Sequence, residues 1–456
     1  MADIETLSYC EACAQGNCEC QPGHCGCDTC ANYAVEVEDN KFVHYENDED
    51  TVGTVVTYAN GKWAPSVAMV NNAFYQTLAE AIEAATSGDV VTLVSDVDLT
   101  KPVEIENKDI TLNLGEYTII YSGESIPSGV IIVHNGAGLT IEGENGKIDG
   151  GENTYSGIIL TKKGDDSSVP AKLTINSGSI FGNYYAIVGN GSRHNTEITI
   201  NGGSLTGTNK EDSFAIYHPQ NGKLTINGGI LTGVSAAIEI RAGELNITNG
   251  KFAATATKYS CNPNGNGTTT IGAAIAISQH TTKKNIAVNI SGGEFTGVKA
   301  ISESNPQEND PAPLVDLSIS GGKFDGEIST VDVHNFISGG TFSQEVSEEN
   351  CAEGFEPTTN ENGTYGVIES TPETPETPDD PETPETPDPE DPENPGEGDD
   401  DSDEELSDDE YKVVTGITSD YADKVLETEK AHIDWHIPGG AAAEALRKRA
   451  AELAKK

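Results

Sequence analysis

The residues best placed to do chemistry lie near the start of the chain. In "CEACAQGNCECQPGHCGCDTC", from Cys10 to Cys30, seven of the nine cysteines of a 456-residue protein fall within twenty-one positions. The spacing is C-x2-C-x4-C-x-C-x4-C-x-C-x2-C, with His24 directly before Cys25. C-x2-C and C-x-C pairs let neighbouring thiolates point at one metal ion. Cys10, Cys13, Cys18, Cys20, His24, Cys25, Cys27 and Cys30 supply the eight ligands that two tetrahedral zinc sites require. The stretch is nearly devoid of apolar side chains, so bound zinc would have to supply its folding free energy, on the order of 10 kcal/mol per structural site. A disulfide knot is the competing reading, although seven thiols leave one over.

Elsewhere the candidates are scattered. Tyr184, Tyr185, His194, Tyr217 and His218 fall in neighbouring repeats. Aromatic side chains on a flank stack on sugar rings, which marks these five as a candidate glycan-contacting patch. The alternative is that they pack long turns onto the body. Glu239 and Arg241 alternate in "AIEIRAG" and read as a solvated ion pair. Asp325, Glu327 and Asp332 read as an acidic strip of the kind a very acidic chain produces by chance.

Positioning falls to a set of repeats. "KLTINSGSIFG" (172–182), "EITINGGSLTG" (197–207), "KLTINGGILTG" (223–233), "ELNITNGKFAA" (244–254), "VNISGGEFTG" (288–297), "LSISGGKFDG" (317–326) and "FISGGTFSQ" (336–344) share one pattern. Apolar and polar residues alternate, a Gly pair turns the chain, and an apolar residue follows: Leu205, Leu231, Phe252, Phe295, Phe324, Phe342. Most units then carry a short Ala-Ile segment, so one unit holds about three short strands. One unit cannot bury its own apolar face, whereas stacked units place like residues above like at about 4.8 Å. Stacking predicts an interior column of Phe and a polar ladder of Asn176, Asn201 and Asn227. The fold class is therefore all-β, a parallel β-solenoid. The long interval from Gly250 to Gly293 predicts an extra coil or a protruding insertion. Upstream, Thr77 and Glu80 have capping-box spacing before an apolar stripe of Leu78, Ala81, Ile82 and Ala85, which predicts a short helix stopped by Gly88 that covers the open end of the stack.

"AFYQTLAEAIEAATSGDVVTLVSDV" and "ITLNLGEYTI" (110–119) resemble the N-terminal cap and first coils of pectin-lyase-like right-handed parallel β-helix proteins. The Gly-cornered coils and "SGGTFSQEVSEENCAEGFEPTTNENGTYGVIE" (338–369) resemble the non-enzymatic branch found in surface proteins of gut bacteria and in their phages. Enzymes on this fold cleave polysaccharides with paired carboxylates or with a base and Ca²⁺. The Asn-Thr-Asp, Asp-Asp, Gly-His-Gly and Arg-Ile-Lys motifs of its polygalacturonase-like members do not occur in the repeats. The resemblance implies a structural or adhesive fibre with no catalytic residues, and a polysaccharide lyase or hydrolase is the enzymatic alternative.

The remaining segments give the organisation. Residues 1–35 form the Cys-rich knot, 36–70 a connecting β segment and 71–369 the β-helix. Residues 370–410 hold twenty acids and no Lys or Arg, and their regular Pro predicts an extended spacer reaching up to roughly 120 Å. Residues 411–456 read as a helical docking or oligomerisation segment, where His432 and His436 have i, i+4 spacing without an evident third ligand. A net charge of −49 excludes nucleic acid and anionic lipid as partners, and no run is apolar enough to insert in a membrane. The first thirty residues carry no secretory pattern, which predicts synthesis in a cytosol; a chain whose leader had been removed would read the same. These features predict a phage virion protein, a head or tail fibre or decoration. Its expected partners are bacterial or mucosal glycans, capsid or tail proteins bound through the C-terminal segment, and sister chains. A bacterial cell-surface adhesin is the alternative.

Overall fold

The structure is a computed structural model, and it describes residues 8–9, 33–38, 40–44, 53–59, 62–124, 126–161, 165, 168–189, 195–261, 270–310 and 314–370. The Cys10–Cys30 cluster, His194, most of the 370–410 spacer and all of 411–456 lie outside the described residues.

The protein is predominantly β, with two long sheets of nineteen and eleven strands. In the central repeats one unit supplies one strand to the eleven-stranded sheet and two to the larger one, as Thr196–Ile200, Ser204–Gly207 and Phe214–His218 do. Each strand pairs in parallel with its counterpart in the next unit. Leu173 meets Ile198, Ile198 meets Leu224 and Leu224 meets Leu245. This in-register parallel pairing, carried through successive units, is compatible with a β-helix. The alternation seen in the sequence sets the burial: in Thr196–Ile200, Ile198 and Ile200 are buried while Glu197 is exposed.

The apolar residue after each corner forms the expected column. Leu205 pairs with Leu231, Leu231 with Phe252, and then Phe252, Phe295, Phe324 and Phe342 follow in register. The four rings stack with centroids 4.7, 4.8 and 4.9 Å apart and planes within 10° of parallel. Rings stacked at the strand spacing are held there by the backbone ladder beneath them. The Asn ladder forms as well. Asn201 Nδ2 donates to Asn176 Oδ1 and Asn227 Nδ2 donates to Asn201 Oδ1, each at 2.9 Å. Glu142 Oε1 accepts from Asn176 Nδ2 at 3.2 Å, and Thr248 Oγ1 donates to Asn227 Oδ1 at 3.2 Å.

The long interval between Gly250 and Gly293 is an insertion. Strands Gly243–Ile247 and Ile286–Ile290 pair directly, so no repeat intervenes. The extra length includes an antiparallel pair, Ser260–Cys261 with Thr270–Ile271.

The N-terminal helix, Leu78–Ala84, is capped by Thr77, whose Oγ1 accepts from Glu80 N at 3.2 Å and donates to Glu80 Oε2 at 2.9 Å. Leu78, Ala81 and Ile82 are buried in the main core. The helix ends at Ala84, four residues before Gly88, because Ala85 is already extended. Lys108 Nζ donates to the carbonyls of Ile82 at 2.6 Å and Ala85 at 2.9 Å, supplying a cation and donors where the helix has spare acceptors. Gly88, at φ +95°, makes the following turn instead. At the other end Phe355–Thr359 and Tyr365–Glu369 form an antiparallel hairpin, joined to the last column residue through Phe342 and Tyr365. Before the helix, Tyr33–Glu38, Lys41–His44, Thr54–Ala59 and Lys62–Pro65 form a small sheet with Ser8–Tyr9, in which the Trp63 ring contacts Phe42 and Tyr58.

Candidate functional site

The corners build one concave feature of the described residues. At Gly292-Gly293, Gly321-Gly322 and Gly339-Gly340 the second glycine has φ between +106° and +119°, a region that disfavours any side chain. The first glycine is excluded from substitution for a different reason. A Cβ on Gly292 would stand 2.2 Å from Thr248 O, and one on Gly339 would stand 2.3 Å from Ser320 O. Corners without side chains, stacked in register, leave an open trough of about 450 Å³. Gly292, Gly293, Gly322 and Gly340 line it with backbone, beside Asn249, Glu294, Lys323 and Thr341. Glu294 also pairs with Lys251 at 3.4 Å, and Lys323 follows Glu294 in the same column. The trough is open to solvent and runs across the repeats that carry these corners. Its lining contains one carboxylate, Glu294.

The aromatic patch expected on the flank is a correction. Tyr184, Tyr185, Tyr217 and His218 are all buried, with Tyr185 and His218 fully so, and their rings are not at the surface to meet a sugar. The three tyrosines join Tyr155, Val188 and Phe214 in a second apolar cluster. Tyr185 stacks on Tyr217 at 5.4 Å, and Tyr155 on Tyr184 at 5.8 Å. The physical reason is legible in the strands. Phe214–His218 and Ala236–Ile240 are buried at every position, so both of their faces are covered. Burial raises the Tyr184 and Tyr217 hydroxyls to about 12 and the Tyr185 hydroxyl well above its ordinary value. The same desolvation lowers His218 to about 4. Its Nδ1 lies 3.1 Å from Ala242 O, so a neutral ring carrying the Nδ1 proton donates there.

Glu239 and Arg241 are likewise not solvated. Arg241 Nε donates to Glu239 Oε1 at 2.8 Å with both side chains buried. Glu239 Oε2 accepts from Thr270 N at 3.3 Å, which ties the inserted pair of strands to this flank. The guanidinium also lies 5.7 Å from the Tyr217 ring centroid. Nearby Asp212, raised to about 6 by burial against the lowering effect of its Ser235 hydrogen bond, accepts from Ser235 Oγ at 2.7 Å. Alternation in "AIEIRAG" suggested exposure because nothing local announced the contacts that bury it.

Asp325, Glu327 and Asp332 do not converge. Asp325 is exposed, Glu327 pairs with Lys299 at 3.4 Å, and Asp332 accepts from Gln279 Nε2 at 2.9 Å. One grouping escaped the sequence reading. Buried His134 places Nδ1 3.2 Å from Asp165 Oδ1 and Nε2 3.3 Å from Glu104 Oε2. Parallel register of Val103–Glu106 with Ile131–His134 creates it, and no local motif encodes such a pairing. The carboxylates address opposite edges of the ring. Among the described residues no group of three or more His, Cys, Asp or Glu is placed to hold a metal ion.

Comparison with known protein families, with curated proteins and with solved structures found no match for this chain.

Proposed function

We propose that this chain is a non-enzymatic adhesive scaffold: a right-handed parallel β-helix of the pectin-lyase-like type that presents a long, regular surface to glycans. The trough at the glycine corners carries the reading, because a backbone-lined channel crossing several repeats complements an extended polysaccharide better than a compact small molecule. Glu294, Lys323, Asn249 and Thr341 would supply the hydrogen bonds to hydroxyl groups. In this proposal the protein serves as a fibre or decoration of a phage virion. The C-terminal segment docks to capsid or tail, the 370–410 spacer holds the β-helix away from it, and zinc folds the Cys10–Cys30 knot.

The test is an array of bacterial capsular and mucosal polysaccharides probed with the full chain. Binding to a subset is expected, and the double change Glu294→Ala with Lys323→Ala is expected to weaken it about tenfold, the loss of one or two hydrogen bonds to charged groups. Binding unaffected by that change would overturn the assignment of the trough, and depolymerisation of any bound glycan would overturn the non-enzymatic reading. A bacterial surface adhesin would use the same surface, and the Pro/acidic composition of 370–410 suits a wall-spanning stalk. Immunolabelling separates the two settings: label on purified virions supports the phage assignment, and label on the bacterial envelope overturns it.

A further inference from the structure

Asn-Gly pairs recur at the corners, and sequence alone does not rank them. In Asn201-Gly202 and Asn227-Gly228 the Asn side chain belongs to the ladder. Asn227 is held at both ends, donating to Asn201 Oδ1 and accepting from Thr248 Oγ1. The next repeat departs from the pattern. Lys251 pairs with Ile230, so Thr248 takes the ladder place of Asn227 and Asn249 takes the place of Gly228. Asn249 is exposed and its side chain faces its own chain, with Gly250 N donating to Asn249 Oδ1 at 2.8 Å. The nitrogen of residue 250 is thus already beside the amide of residue 249. Rotation about Cβ–Cγ turns that amide from edge to face. Gly250 has no Cβ to obstruct approach, and its φ of +125° is one that other residues rarely adopt. The backbone on either side is pinned, since Gly250 O accepts from Glu294 N at 2.8 Å and Lys251 N donates to Gly229 O at 2.9 Å.

We propose that Asn249-Gly250 is a self-modifying corner that forms a succinimide and matures to isoaspartate. A solvent base removes the proton from Gly250 N. That nitrogen attacks Asn249 Cγ, the new C–N bond closes a five-membered ring, and the Cγ–Nδ2 bond breaks as the conjugate acid of the base returns a proton to Nδ2, releasing ammonia. Water then opens the ring at either carbonyl. Opening at Cγ gives aspartate; opening at the backbone carbonyl gives isoaspartate, in which the chain runs through Cγ. Isoaspartate lengthens the backbone by one methylene directly before Lys251–Ala254, the strand whose Phe252 begins the ring stack. Either product adds a carboxylate to the trough beside Glu294. Preorganisation distinguishes this corner from its neighbours: the side-chain amides of Asn201 and Asn227 are engaged by ladder partners, whereas that of Asn249 accepts from its own following amide.

The experiment ages the full chain in mildly alkaline buffer and maps peptides over time, with fragmentation to localise isoaspartate. A parallel sample is kept in denaturant. In the native sample Asn249 is expected to convert about tenfold faster than Asn201 and Asn227, and in denaturant the three rates are expected to converge. Native conversion of Asn249 no faster than that of Asn227 would overturn the proposal. A difference that persists unchanged in denaturant would also overturn it, since the fold would then not be its cause.

Discussion

At the scale of single residues, the buried flank of the central repeats holds ionisable groups whose pH responses oppose one another. Asp212 has a folded pKa of about 6 against 3.8, because burial favours its neutral form. The folded state therefore binds more protons than the unfolded state between those values. Its contribution is present below about pH 4 and is lost as pH rises through about 6. His218 has a folded pKa of about 4 against 6.5, so its contribution is present above pH 6.5 and is lost as pH falls through about 4. Asp212→Asn keeps an oxygen for Ser235 and removes the titration. It is expected to raise stability at pH 7.5 by up to about 3 kcal/mol, with no gain at pH 4. It also exposes the acid sensitivity of His218, so the variant should lose stability more steeply than wild type from pH 6 to pH 4. Denaturant titrations at several pH values measure both effects, and a gain independent of pH would refute the burial argument.

The buried pair on the same flank makes a second prediction. Arg241→Met leaves Glu239 buried beside Thr270 without its cation and is expected to cost about 3–5 kcal/mol. Adding Glu239→Gln removes the stranded charge while retaining an acceptor for Thr270 N, and should recover most of that loss. Equal stability of the single and double variants would show that the pair contributes packing and not charge compensation.

At the scale of elements, the Phe column and the Asn ladder do different work. The column is fully covered, and Phe295 has stacked rings on both sides. Phe295→Ala opens a cavity between two repeats and is expected to cost about 3–5 kcal/mol, read from the denaturation midpoint; a loss under about 1 kcal/mol would mean the neighbouring repeats collapse onto the gap. The ladder is exposed, so water competes for its hydrogen bonds. Asn201→Asp removes a donor to Asn176 and faces oxygen against oxygen, with an expected cost of about 1 kcal/mol. The N-terminal helix adds a third device. Its seven residues would be marginal alone, and Lys108, twenty-six residues from Ile82, caps its C-terminal carbonyls from the first repeats.

At the scale of the whole molecule, uneven composition is the main physical fact. The acidic excess is greatest in 370–410, and the thiols concentrate in 10–30. Elemental analysis of full chain purified under reducing conditions is expected to find about two zinc ions per chain. Metal-free protein that keeps its full stability would remove zinc from the account of the N-terminal segment. Like charges repel along the spacer, so raising ionic strength is expected to shorten the hydrodynamic radius of the full chain while leaving that of residues covering the two long sheets unchanged.

Period-two alternation with glycine pairs at recurrent positions was enough, in the sequence itself, to determine parallel in-register stacking, the Phe column, the Asn176–Asn201–Asn227 ladder and the helix cap at Thr77. Each of these depends on residues a few positions apart and on repetition, which makes neighbouring units equivalent. The fate of a side chain on the outer face was decided only by tertiary structure. Glu239 and Arg241 alternate as an exposed pair would, and Tyr185, Tyr217 and His218 read as a flank patch, yet all five are buried, because a sequence pattern assigns a face and does not say what covers it. His134 met Glu104 and Asp165 through register and a turn. Such contacts join residues whose separation carries no local signal.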